Sequence, residues 1–117
     1  MDNKMFCFQC EQTAGCSGCM GNAGVCGKSA ETAALQDELT GALIGLARAC
    51  ENNAKTDATD RIIIEGLFTT ITNVNFNDDT LRAMIKRIRE EKFRFCTRAC
   101  RRRSAKSAPS SFWSSSV

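Results

Sequence analysis

Four cysteines, Cys7, Cys10, Cys19 and Cys26, lie in the first 26 residues, in a glycine-rich stretch directly ahead of an amphipathic segment. In the Cys7-x-x-Cys10 pair, two thiolates from one tight turn can bind a single metal centre, and two further cysteines a short loop away can complete a four-thiolate cage. This is the pattern of iron–sulfur ligation. Zinc accepts the same tetrahedral thiolate set, so spacing alone leaves both metals open. Cys16 is a fifth candidate, and the chain contains no histidine that could supply a nitrogen ligand.

The eight cysteines are unusual for a chain of 117 residues, whereas 43% hydrophobic and 25% charged residues are ordinary and sufficient for a core. Residues 1–30 show neither an apolar stretch nor a cleavage pattern of the secretory type. A reducing, cytoplasmic compartment is expected, where clustered cysteines more often hold metal than form disulfides. No apolar run is long enough to span a bilayer, so no membrane association is expected.

Glycine recurs every third residue at Gly15, Gly18, Gly21, Gly24 and Gly27. Five triplets without proline cannot form a collagen helix. Beside cysteines, such glycines allow positive φ and bring N–H groups close to metal-bound sulfur.

The elements that must position this loop read as helices, and the expected fold is mainly α: a Cys/Gly-rich loop, about three helices and a disordered basic tail. Leu35, Leu39, Leu43, Leu46 and Cys50 make a helical stripe from Ser29 to about Asn53, with Ser29 as N-cap and Glu31 near the positive helix start. A second helix starts at Asp57 and runs through Ile63, Ile64, Leu67, Phe68 and Ile71. The β-branched run of residues 69–74 weakens its end. A third starts at Asn77 or Asp78, with Leu81, Met84, Ile85 and Ile88 at i, i+3, i+4 and i+7. No strong strand signal is present.

Charge divides the chain. Residues 1–96 carry 11 Lys/Arg against 13 Asp/Glu, whereas residues 97–117 carry 5 basic and no acidic residues, together with seven serines, Pro109 and Trp113. Clustered like charge with little apolar content implies disorder. Arg101-Arg102-Arg103 could contact nucleic acid or anionic lipid, but a short basic tail is more often simply solvated, and no nucleic-acid partner is expected. Cys50 falls on the first helix's apolar stripe and reads as a buried structural thiol. Cys96 and Cys100 have metal-compatible spacing, but no second pair follows them.

Residues 5–13 (Met-Phe-Cys-Phe-Gln-Cys-Glu-Gln-Thr), Gly18-Cys19, Val25-Cys26-Gly27-Lys28, Ala30-Glu31-Thr32, Leu35-Gln36-Asp37 and residues 67–76 resemble, in order and spacing, the N-terminal portion of the hybrid-cluster (prismane, hydroxylamine reductase) family. The similarity covers residues 5 to about 95. It implies that Cys7, Cys10, Cys19 and Cys26 bind a conventional iron–sulfur cluster in a helical domain, with Gly18-Cys19 favouring Cys19 over Cys16 as third ligand. Eight residues between Cys10 and Cys19 resemble the short-loop [4Fe–4S] form; six between Cys19 and Cys26 resemble the longer-loop [2Fe–2S] form. The expected cofactor is [4Fe–4S], with [2Fe–2S] as the alternative.

In the family, hydroxylamine is reduced to ammonia at a second, hybrid iron–sulfur–oxygen cluster whose ligands include histidine, and none of those ligands carries over to this chain. The resemblance therefore implies an electron-transfer module with no catalytic residue of its own. Its partners are a redox protein or the C-terminal domains that the family carries. Three segments follow: 1–28, a cluster-binding loop; 29–95, a helical segment; and 96–117, a Ser/Arg-rich tail expected to be disordered or frame-shifted. The competing readings are a structural zinc domain with a four-cysteine site and a basic interaction protein.

Overall fold

The computed structural model describes residues 5–11, 14–51, 53, 55–71 and 77–106. Helix α1 spans Ala30–Cys50, α2 Asp57–Ile71 and α3 Asp78–Lys106. Ser29 caps α1: its hydroxyl accepts the Thr32 N–H at 3.1 Å, satisfying one of the donors that a helix start leaves open. Asn77 does the same for α3, accepting from the Thr80 N–H at 3.1 Å.

The ion pairs fix the helix directions. Glu31 pairs with Arg82 and Glu38 with Arg89, so positions advance together along α1 and α3, which run parallel. Thr59 donates to Glu91 at 2.8 Å and Glu65 accepts from Arg87 at 2.8 Å, so α2 runs against α3 and returns the chain between them. The exposed ion pairs contribute little energy individually. The core does more: Leu35, Leu39, Leu43 and Leu46 from α1 meet Leu81, Met84, Ile85, Ile88 and Phe95 from α3, with Ile62 and Ile63 of α2 against them. On α1 and α3 these are, Phe95 apart, the positions whose spacing marks the helical stripes, whereas of the apolar positions expected along α2 only Ile63 packs here, and Ile64, Leu67, Phe68 and Ile71 are exposed. Gly66 lets α2 approach closely, since a Cβ there would lie 2.6 Å from Leu43 Cδ2 and 3.3 Å from Ile88 Cδ1.

Ahead of the helices, β1 (Met5–Cys7) and β2 (Cys19–Gly21) pair antiparallel, with Met5 opposite Gly21, Phe6 opposite Met20 and Cys7 opposite Cys19. This hairpin adds two short strands to the Cys-rich segment that precedes three helices in a mainly α fold, as expected. Three-residue strands are too short to display alternation in sequence. Met5, Cys19 and Ala33 form a small second core, joined by Cys7 and Ala30, which seats the hairpin on the first turns of α1.

The expected boundary at residue 96 falls inside α3, which continues to Lys106. Arg and Ala are good helix formers, and cations are favoured at a helix C-terminus, so the composition that reads as a tail also suits a final helical stretch. The expected disorder of residues 107–117, and the β-branched run beyond Ile71, lie outside the described residues.

Candidate metal centre

Directly paired residues of an antiparallel ribbon point to the same face, with Cα atoms about 4.5–5.5 Å apart. Cys7 and Cys19 therefore stand side by side on the hairpin's inner face, packed against Ala30 and Ala33, while Phe6 and Met20 project outward and are exposed. Cys19 is buried and Cys7 half-buried. Gly18 permits the approach to β2: its φ is 103°, and a Cβ there would come within 2.8 Å of Phe6 Cε2, so a larger residue would have to displace the ring.

The other two predicted ligands stand apart from this pair. Cys10 is half-buried three residues beyond Cys7, and Cys26 is exposed at the tip of a tight turn closed by Gly24 N–H donating to the Lys28 carbonyl at 2.8 Å. Among the described residues, no three cysteine or carboxylate side chains are gathered closely enough to hold a metal ion. The structure thus brings Cys7 and Cys19 together and leaves Cys10 and Cys26 on the adjoining turns. All eight cysteines are free thiols. Cys16, on a single 3₁₀ turn, is exposed with φ 58°, a backbone conformation uncommon outside glycine. Cys96 and Cys100 are exposed on α3. Cys50 is half-buried, and burial followed by the nearby Glu91 carboxylate pushes its thiol above the usual range.

Beneath the paired thiols lies a group to which sequence reading assigns no role. Lys28 is 1% exposed, and its amine donates to Gln36 Oε1 at 2.6 Å and to Gln9 Oε1 at 3.0 Å, and reaches Cys7 Sγ at 3.8 Å. A signal for Gln36 is present in the sequence: it falls on the buried stripe of α1, three and seven residues before Leu39 and Leu43, where a polar side chain needs a partner. Lys28 carries no comparable signal, because its burial depends on residues distant in sequence.

A thiolate-held iron–sulfur group fits this end of the molecule. Its donors would be soft thiols only, two already paired, beside the positive end of α1 and above a buried amine that suits an anionic, sulfur-rich occupant. Gln36 Nε2 adds a buried donor with no partner among the described residues. A groove of about 740 Å³ between α1 and α3, lined by Leu35, Glu38, Arg82, Ile85, Arg89 and Phe93 among others, contains no cysteine.

Fold and site together define a cysteine-rich hairpin mounted on a three-helix bundle. The chain belongs to the Prismane/CO dehydrogenase family, whose model matches residues 5–106, a family of iron–sulfur proteins. It is 45% identical over 91 residues to a hydroxylamine reductase of Desulfovibrio desulfuricans, covering 74% of this chain and 16% of that one. It is 48% identical over 87 residues to that of Methanocella arvoryzae and 43% identical over 87 to that of Clostridium novyi, covering in each case 71% of this chain and 16% of the other. The chain thus spans about one sixth of the length of the curated relatives it matches. The match reaches the end of α3, past the residue-95 limit of the motif resemblance.

Proposed function

We propose that Cys7, Cys10, Cys19 and Cys26 hold an iron–sulfur cluster, [4Fe–4S] in type, and that this chain is the electron-transfer portion of a hydroxylamine-reducing protein. The observation that carries the reading is the pairing of Cys7 with Cys19 on adjacent strands, packed on the first turn of α1. When bound, the cluster supplies one-electron transfer.

The chain's residues set the conditions for it. Strand pairing holds two sulfurs on one face, and Ala30 and Ala33 close that face from below. Cys10 and Cys26, which stand apart from this pair, would have to close on it to complete the set. Reduction of hydroxylamine to ammonia and water consumes two electrons and two protons at a position open to substrate, which four thiolates around a saturated centre do not offer. The present residues therefore deliver electrons rather than bind substrate. The recipient is the catalytic part of such a protein, and a cytoplasmic redox protein is the donor. No described helix is long and apolar enough to cross a membrane.

The test is anaerobic reconstitution with iron and sulfide, followed by metal analysis and visible spectroscopy. The expected product is brown, with iron and acid-labile sulfide in equal amounts. Cys7→Ser, Cys10→Ser, Cys19→Ser and Cys26→Ser should each lose most of the iron, while Cys16→Ser and Cys50→Ala should retain it. A colourless protein loaded with zinc, or iron lost in Cys16→Ser and kept in Cys19→Ser, would overturn the assignment.

A further inference from the structure

We infer that Lys28 is a positioning residue that sets the reduction potential of the centre through Cys7, and that Gln9 and Gln36 hold its amine in place for this purpose. The inference rests on the proposed cluster and adds a residue that no ligand pattern specifies.

A lysine 1% exposed is rare, because removing an amine from water is costly unless strong acceptors replace the lost hydration. An ammonium has three N–H donors. Its acceptors include Gln36 Oε1 at 2.6 Å, Gln9 Oε1 at 3.0 Å and Cys7 Sγ at 3.8 Å, the last at a distance suited to sulfur. The two amides come from different parts of the chain, Gln9 just after β1 and Gln36 in the second turn of α1, and Lys28 itself lies just ahead of the Ser29 cap. Three segments therefore meet at one nitrogen.

The geometry has a functional direction. An N–H aimed at a ligating sulfur withdraws charge from it, and a buried positive charge favours whichever oxidation state is more negative. Reduction adds one electron to the centre, here from dithionite through a mediator dye, with no bond made or broken and no proton transferred. Lys28 stabilises the added charge, so its presence raises the potential. Gln9 and Gln36 are neutral amides, so they aim the amine without themselves cancelling its charge, as a carboxylate in their place would.

The experiment compares wild type, Lys28→Arg, Lys28→Met and Gln36→Glu, each reconstituted anaerobically, by dye-mediated redox titration followed in the visible spectrum. Iron and sulfide contents are measured on the same samples. At the solution potential that half-reduces the wild type, Lys28→Met should show a ratio of reduced to oxidised protein about tenfold lower. Lys28→Arg should recover most of the difference. Gln36→Glu, which leaves Lys28 in place but sets a carboxylate against its amine, should shift the potential the same way as Lys28→Met. Should Lys28→Met fail to retain iron, Gln36→Glu decides the matter.

Equal midpoint potentials for wild type and the iron-loaded variants would show that Lys28 only packs, and would overturn the inference while leaving the ligand assignment intact. A wild-type chain that takes up no iron would instead remove the cluster reading, and this inference with it. Iron content and potential thus separate the two failures.

Discussion

Cys50 shows how one chain can hold cysteines with opposite duties. Burial and the Glu91 carboxylate raise its thiol above the ordinary range, so it stays protonated where a metal ligand must ionise. A thiol whose folded value lies above its unfolded one stabilises the fold fully below the unfolded range, near pH ~8.5, and loses that contribution as pH rises through the folded value. The difference in stability between wild type and Cys50→Ala should therefore shrink as pH is raised from about 8 to about 10, measured by denaturant unfolding under reducing conditions. Parallel stability profiles across that range would contradict the burial argument. The apolar stripe gives Cys50 its structural reading from sequence. Nothing comparable reveals Lys28, since the Gln9 and Gln36 acceptors that make its burial tolerable are brought to it only by folding.

Among the elements, α2 is held by its closest approach. At Gly66, alanine would gain about 1 kcal/mol of helix propensity, but its Cβ would meet Leu43 methyls at 2.6 and 3.2 Å and Ile88 Cδ1 at 3.3 Å. Overpacking of this kind costs about 1–3 kcal/mol, and contacts from two helices leave little room to yield. Gly66→Ala should therefore destabilise by about 1 kcal/mol on balance, and Leu43→Val in the same chain should recover part of the loss, as denaturant melts would show. A stabilised Gly66→Ala protein would mean that α2 moves away freely. The helices are legible in the sequence because 3.6-residue spacing and caps at Ser29 and Asn77 are local signals. The hairpin is not, because pairing between residues 5–7 and 19–21 is non-local and each strand is three residues long. Cys7 and Cys19 can be named as ligands from the motif resemblance, but not as neighbours across strands.

At the scale of the whole molecule, the described residues form two apolar cores, one of nine buried side chains between α1 and α3 and a smaller one of Met5, Cys19 and Ala33 under the hairpin. The larger core includes none of the four proposed ligands. Removing iron with a chelator should therefore free the hairpin first: amide exchange at Cys7 and Cys19 should accelerate while far-ultraviolet circular dichroism retains most of its helical signal. Loss of all helicity in one step on chelation would show instead that the bundle depends on the centre. Residues 96–106 read as tail when charge clustering is weighed above helix propensity, whereas the Arg- and Ala-rich stretch continues α3.

Pairing between β1 and β2 can, in principle, slide. Because side chains alternate across a strand, a slip of one residue would turn Cys7 to the outer surface now occupied by Phe6 and Met20 and separate it from Cys19. It would also lift Met5, now 5% exposed, off Ala33 and into water, a loss of about 1.5–3 kcal/mol. The burial of one methionine thus selects which cysteines are neighbours, so that chelation at the proposed centre would begin from a pair that the chain's own apolar packing has already proofread.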